Sequence, residues 1–186
     1  VICGNGAAEV IFTLCHAVKP KRALIPAPTF AEYGQALAST GCELEYYMLT
    51  ENDGFVLSEA YLDILHKGLD MAFLCNPNNP TGMLIPHRLL KRILEKCRKL
   101  DILLVVDECF LDFVKEPEKY SLKRSLSGFN NLFILKAFTK RYAMAGVRLG
   151  YGLCSDRKLM ERMELCVQPW NVSTMAQAAG PQALTE

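Results

Sequence analysis

Apolar and polar positions follow two rhythms along this chain, one with the helical period and one of short unbroken runs. Val10, Ile11, Leu14, Cys15 and Val18 recur at helical spacing and predict a helix that opens near Gly6. Leu89, Leu90, Ile93, Leu94 and Cys97 form the sharpest such face, after Pro86, with Lys91, Arg92, Glu95 and Lys96 outside it. Runs of strand length stand between the helical patterns: residues 23–25, closed by Pro26 and Pro28; residues 44–48; and residues 71–75, which stop at an Asn/Pro cluster. Residues 102–106, 132–135 and 149–153 supply three more, and the run over 102–106, the most apolar, is predicted to be central. Further helices are predicted around residues 32–39, from a Ser58 cap to about His66, and from a Ser155 cap through Leu159, Met160 and Met163. The polar stretch over 115–127 is expected to be a loop. This alternation predicts an α/β layer fold with a mainly parallel sheet. No repeat or low-complexity tract divides the chain, so residues 1–186 are expected to form one domain.

Composition narrows the possibilities. With 186 residues, 51% hydrophobic content and a mean hydropathy of +0.11, the chain can bury a substantial core. A net charge of +1 offers no field for nucleic acid or an anionic membrane, and no apolar run is long enough to span a bilayer. The eight cysteines form no C-x-x-C pair and mostly fall inside apolar patterns. They read as buried reduced thiols in a reducing compartment, the cytoplasm. His16, His66 and His87 lack acidic or cysteine partners at ligand spacing, so no metal site is expected. The chain has no initiator methionine, opens on a glycine-rich turn and closes on Ala183-Leu184-Thr185-Glu186 within a predicted helix. It reads as a piece of a longer protein, cut at both ends.

The candidate chemistry lies at the ends of the apolar runs. Gly4-Asn5-Gly6-Ala7-Ala8-Glu9 leads into the first helix, where small residues and free N–H groups favour an anion. Alone it reads as an ordinary tight turn before a helix, and no third glycine at Glu9 completes a dinucleotide fingerprint. Asp107 closes the most apolar run, where open α/β sheets bind their ligands, and a buried carboxylate calls for a cation. A magnesium-holding acid is one reading, weakened by the lack of a G-x-x-x-x-G-K-[ST] loop; a protonated pyridine nitrogen is the other counter-cation. At about 3 Å and an effective dielectric of roughly 20, that attraction is about 5 kcal/mol before desolvation. Asn76-Pro77-Asn78-Asn79-Pro80-Thr81-Gly82 follows another run, and its prolines fix the backbone so that an amide can be aimed. Phe30, after Pro26-Ala27-Pro28-Thr29, reads alone as core more often than as a stacking face. Lys140 follows one apolar run and Arg148 sits in a second, glycine-flanked stretch. Alone they are a solvated basic turn; as a pair they suit an aldehyde cofactor bearing a phosphate, the amine for the aldehyde and the guanidinium for the phosphate.

In chain order, an anion-binding helix start, an oriented amide, a buried acid and a Lys/Arg pair resemble the class I/II aminotransferase family, fold type I of the pyridoxal-phosphate enzymes. The resemblance covers nearly the whole chain, and N-P-x-N-P-T-G combined with the spacing from Lys140 to Arg148 is its specific part. It implies a three-layer α/β/α sandwich with a mostly parallel central sheet, the large domain of that fold without most of the small one. The implied cofactor is pyridoxal 5'-phosphate. By this resemblance Lys140 joins the cofactor, Asp107 pairs with the pyridine nitrogen, Asn79 meets the ring oxygen and Phe30 stacks on the ring. Arg148 and Thr139, with the Ala7 and Ala8 amides, hold the phosphate.

Within the family the likeness is to the branch containing threonine-phosphate decarboxylase and histidinol-phosphate aminotransferase. Asp107-Glu108-Cys109-Phe110-Leu111-Asp112-Phe113 places a phenylalanine where aminotransferases of this branch usually carry a tyrosine. The segments 135–140 and 168–172 also resemble the decarboxylase. Ala137 stands where a hydroxyl often touches the phosphate, so the grip leans on Arg148 and backbone amides. The implied reaction is decarboxylation of O-phospho-L-threonine to aminopropanol phosphate and CO₂, within cobalamin synthesis. Histidinol-phosphate-type transamination and a catalytically inert piece of the same fold are the alternatives, because the family's carboxylate-binding arginines lie beyond this sequence. A small amino acid phosphate is the expected substrate and a second copy the expected partner, in a homodimer; neither nucleic acid nor membrane is expected.

Overall fold

The computed structural model describes residues 1–185. Seven strands, β1 (Ile2–Asn5), β2 (Arg22–Ala27), β3 (Glu43–Met48), β4 (Met71–Cys75), β5 (Leu103–Asp107), β6 (Leu132–Ala137) and β7 (Leu149–Cys154), form one sheet in the order β1-β7-β6-β5-β4-β2-β3. The helices are α1 (Gly6–Val18), α2 (Ala31–Ala38), α3 (Tyr61–Ile64), α4 (His87–Leu100), α5 (Phe138–Arg141), α6 (Arg157–Cys166) and α7 (Thr174–Ala183). From β3 to β6 every pairing is parallel, whereas β7 runs antiparallel to both β6 and β1.

Alternation along the buried strands sorts side chains into two cores, one on each face of the sheet. Phe73, Val105, Phe133 and Leu135 point to the face covered by α1, α2 and α6. Ala72, Leu74, Leu104, Val106, Leu132 and Ile134 point to the face covered by α3 and α4. The result is a three-layer α/β/α sandwich. In α4 the buried residues are Leu89, Leu90, Ile93, Leu94 and Cys97, the face read from spacing. The run over 102–106 becomes β5, fourth of the seven strands and thus central.

Several elements depart from the sequence reading. β1 was not foreseen: it is short and glycine-bearing, and it exists through its pairing with the distant β7. β2 runs through Pro26 instead of closing there. Even-numbered residues of β2 face β4, as the bond from Asp70 N–H to the Arg22 carbonyl shows. The β4 ladder ends at Leu24, so the missing N–H of Pro26 leaves no ladder bond unmade. The helix expected from Ser58 is the single turn of α3, and Ser58 hydrogen-bonds Ala60 N–H and the Tyr47 hydroxyl instead of capping it. The cap of α6 is Asp156, whose carboxylate accepts from Lys158 N–H at 2.9 Å, while the Ser155 hydroxyl donates to the Phe129 carbonyl. The polar stretch 115–127 holds 3₁₀ turns at Pro117–Lys119 and Lys123–Gly128. It is anchored by buried Glu108, which accepts from the Ser121 hydroxyl and from Leu122 N–H. The helix predicted to run off the chain end closes at Ala183; Glu186 lies outside the described residues.

Topology decides where the chemistry sits. The carboxyl ends of β2, β4, β5 and β6 share one edge of the sheet because those strands are parallel. Two antiparallel steps, β6 to β7 to β1, turn β1 parallel to β6, so α1 also starts at that edge. The reversed β7 begins there, which brings Arg148, the residue just before it, to the same place.

Candidate active site

A cavity opens at this edge. Ala7, Ala8, Phe30, Asn79, Asp107, Thr139, Lys140 and Arg148 all line it, so every residue singled out in the sequence faces a common space. Tyr33, Cys75, Cys109, Phe110 and Ala137 complete its wall.

The anion-binding end is formed by the start of α1 and by Arg148. No side chain caps the first turn of α1, so its leading N–H groups lack intrahelical partners and remain free to bind. Gly6 has φ +83°, and a Cβ there would lie 2.6 Å from Arg148 Nη2; the guanidinium rests on the glycine's open face. Gly150 is just as confined, since a Cβ would overlap the Ala7 amide nitrogen. Arg148 itself adopts φ +58°, a left-handed conformation of the kind that concentrates at functional positions in arginine and other non-glycine residues. Glu9 secures this corner, accepting from Asn5 N–H at 2.6 Å and from the Asn171 amide at 3.0 Å.

Asp107 forms the opposite pole. It is 5% exposed, and its Oδ2 accepts from the Tyr33 hydroxyl at 2.6 Å while Oδ1 accepts from Cys109 N–H at 2.8 Å. Among the described residues no Lys, Arg or His pairs with it, so the chain supplies hydrogen-bond donors and no counter-cation. Burial, then the Asp107 charge, pushes the Cys75 thiol up to about 12 and the Cys109 thiol well above its ordinary value. Both thiols therefore stay protonated near neutrality and are poor nucleophiles.

The Asn/Pro cluster divides its amides between structure and cavity. Asn76 is fully buried, accepting from Ile85 N–H and donating to the Tyr120 carbonyl. Asn78 donates to the Pro28 carbonyl and the Thr81 hydroxyl, and accepts from Thr29. Asn79, half-buried, keeps its side chain without a partner among the described residues and lines the cavity. A similar division separates two nearby lysines. Lys136 is held by Asp112 at 3.0 Å, whereas Lys140 makes no ion pair among the described residues and places Nζ 4.9 Å from the Phe110 ring centroid.

Tyr33 is the main residue that sequence reasoning missed. Its signal was available in part: it lies on the apolar face of α2, where a buried tyrosine needs a partner for its hydroxyl. Nothing local named that partner. Among the described residues there is no cluster of His, Cys, Asp and Glu able to hold a metal ion, and no helix is long and apolar enough to cross a membrane.

The family model for aminotransferases of class I and II matches residues 1–186. A threonine-phosphate decarboxylase of Salmonella typhimurium is 44% identical over 186 residues, covering 100% of this chain and 50% of that protein. A histidinol-phosphate aminotransferase of Anoxybacillus flavithermus is 32% identical over 188 residues, again covering 100% of this chain and 50% of the relative. The crystal structure of the histidinol-phosphate aminotransferase from Clostridium acetobutylicum superposes with a TM-score of 0.90 at 28% identity, over 100% of this chain and 54% of that one. The chain spans about half the length of the curated relatives it matches.

Proposed function

The chain belongs to the class I and II aminotransferase family, and from that premise we propose that the whole protein is a pyridoxal 5'-phosphate enzyme that decarboxylates O-phospho-L-threonine. The observation that carries the cofactor reading is the convergence of Lys140, Asp107 and Arg148, remote in sequence, on one cavity. The donor set fits the group from end to end. Arg148, Thr139 and the amides of Ala7 and Ala8 would hold a phosphate, Phe30 a ring face, Asn79 a ring oxygen and Asp107 a protonated ring nitrogen, leaving Lys140 for the aldehyde carbon. An uncompensated carboxylate this deeply buried suits a ligand that brings its own positive charge. Bound there, the cofactor supplies an electron sink for the pair released when a bond to the substrate Cα breaks.

The chain's own residues have distinct tasks. Asp107 keeps a proton on the ring nitrogen by holding negative charge against it. Arg148 and the start of α1 would neutralise and hold the phosphate. Lys140 would act as the proton donor: Nζ, made an ammonium by the proton it takes from the substrate's amino group, would deliver that proton to Cα in the place CO₂ vacates, the change that turns phosphothreonine into aminopropanol phosphate. Phe110 offers no hydroxyl to the ring oxygen, unlike the tyrosine of related aminotransferases. That difference, and the greater identity to the decarboxylase than to the aminotransferase, favours loss of CO₂ over amino transfer. The second reading, transamination of histidinol phosphate, draws on the superposition with the Clostridium enzyme. Arg148 is the one arginine lining the cavity among the described residues, so the groups that grip the substrate carboxylate belong to other parts of the protein. We place this protein in the cytoplasm as a homodimer.

The test is a paired assay of the full-length protein. CO₂ release from O-phospho-L-threonine supports decarboxylation; glutamate formed from histidinol phosphate and 2-oxoglutarate, with no CO₂ release, overturns it in favour of transamination.

A further inference from the structure

Tyr33 has no part in the cofactor contacts proposed above, yet its ring is fully buried beside Asp107, the one acid lining the cavity among the described residues. The ring stacks on Phe73 of β4, with centroids 5.0 Å apart and planes 19° from parallel, and Phe30 meets it edge-on at 5.5 Å. Wedged this way, the hydroxyl donates to Oδ2 of Asp107 at 2.6 Å, with the Cys75 thiol beside it. The other carboxylate oxygen is taken by Cys109 N–H. Each oxygen is thus tied to a separate donor, one on α2 and one on the backbone after β5. The carboxylate cannot turn about its Cβ–Cγ bond without breaking both bonds. A carboxylate offers roughly four lone-pair sites, so two donors leave capacity directed at the cavity.

We propose that Tyr33 is a positioning residue: by donating to Asp107 Oδ2 it fixes the carboxylate that is presented to the cofactor's ring nitrogen. This rests on the pyridoxal phosphate reading given above. The choice of a phenol has a physical logic. An arginine or lysine in its place would neutralise Asp107 and compete with the ring nitrogen, whereas a hydroxyl stabilises the negative charge and leaves it in place. Burial, then the Asp107 charge, holds the Tyr33 hydroxyl far above its ordinary range, so it remains a donor at every working pH. Phenylalanine at this position would keep the stacking on Phe73 and remove only the donor.

The experiment compares ligands that differ at one atom. Pyridoxal 5'-phosphate and its 1-deaza analogue, in which C–H replaces the ring nitrogen, are titrated by equilibrium dialysis into cofactor-free full-length protein. Wild type should prefer pyridoxal phosphate. Tyr33→Phe should reduce that preference about tenfold or more, as loss of a hydrogen bond to a charged group implies, while deaza-analogue affinity stays near wild type. Retention of the full wild-type preference in Tyr33→Phe overturns the proposal. Equal weakening toward both ligands also overturns it, by making Tyr33 a packing residue only. A wild type with no preference removes the ring-nitrogen reading itself, a result separable from any behaviour of the variant. Should Tyr33→Phe not fold, proton spectra of wild-type protein labelled at tyrosine decide. A downfield, slowly exchanging hydroxyl proton that shifts on adding pyridoxal phosphate, and not on adding the deaza analogue, supports the role; a hydroxyl proton indifferent to both ligands overturns it.

Discussion

Replacing Gly150 with alanine should damage the phosphate-binding end selectively, and the structure says by what route. Gly150 is paired on both sides, with Gly4 of β1 and Ala137 of β6, so β7 cannot swing aside. An added Cβ would lie 2.6 Å from the Gly6 carbonyl carbon and 2.8 Å from Ala7 Cα, and the obstruction is backbone, not the tip of a flexible side chain. Ordinary contact begins near 3.4 Å, so the start of α1 has to retreat by most of an ångström. Overpacking of this kind costs about 1–3 kcal/mol of stability. The retreat also carries the Ala7 amide away from any anion beside Arg148. Loss of one charge-assisted hydrogen bond, about 1.5–3 kcal/mol, corresponds to roughly tenfold to hundredfold weaker binding. The assay is titration of full-length protein with pyridoxal 5'-phosphate and, separately, with pyridoxal, which lacks the phosphate. Gly150→Ala should weaken the first far more than the second. Gly128→Ala, at a position with nothing within 4 Å of the new methyl, is the control and should change neither. Wild-type affinity for the phosphorylated form in Gly150→Ala would refute the assignment of the α1 start as the phosphate cradle.

Other consequences follow from single residues. Asp156→Ala should cost about 0.5–2 kcal/mol in denaturant unfolding, as expected for a lost N-cap, and more than Ser155→Ala; the reverse order would contradict the cap seen at α6. Burial raises the Glu108 carboxyl from its ordinary 4.5, against the lowering effect of its bonds to Leu122 N–H and the Ser121 hydroxyl. The folded state then binds the Glu108 proton more tightly than the unfolded chain. Its contribution to stability should therefore fall as pH rises from the ordinary carboxyl value through the raised folded one. Stability–pH curves should show that decline in wild type relative to Glu108→Gln; parallel curves would argue against it.

What was legible in the sequence was the part written in short-range pattern. The five inward residues of α4 follow from spacing alone, and the central position of β5 from its unbroken apolar run. Asn79, Asp107 and Lys140 stood out because each follows such a run and carries a polar group that a strand end can present. Contacts made between distant segments left no such trace. β1 depends on β7, most of the chain away, and its four residues include a glycine, Gly4, which weakens any strand signal. Tyr33 and Asp107 are 74 residues apart, and no local spacing could join them. Pro26 reads as a stop because the sequence does not disclose that the β4 ladder has already ended at Leu24. Of the asparagines in the Asn/Pro cluster, only the fold reveals that Asn76 and Asn78 tie down the loop while Asn79 is left to face the cavity.

Borohydride reduction of the full-length protein in the presence of pyridoxal 5'-phosphate, followed by peptide mass mapping, addresses the site at its chemical centre. A pyridoxyl phosphate adduct on Lys140, absent from Lys140→Ala and undiminished in Lys136→Ala, is the expected result. An adduct on Lys136, one scattered over surface lysines, or none at all would contradict a cofactor site built from Lys140, Asp107 and Arg148.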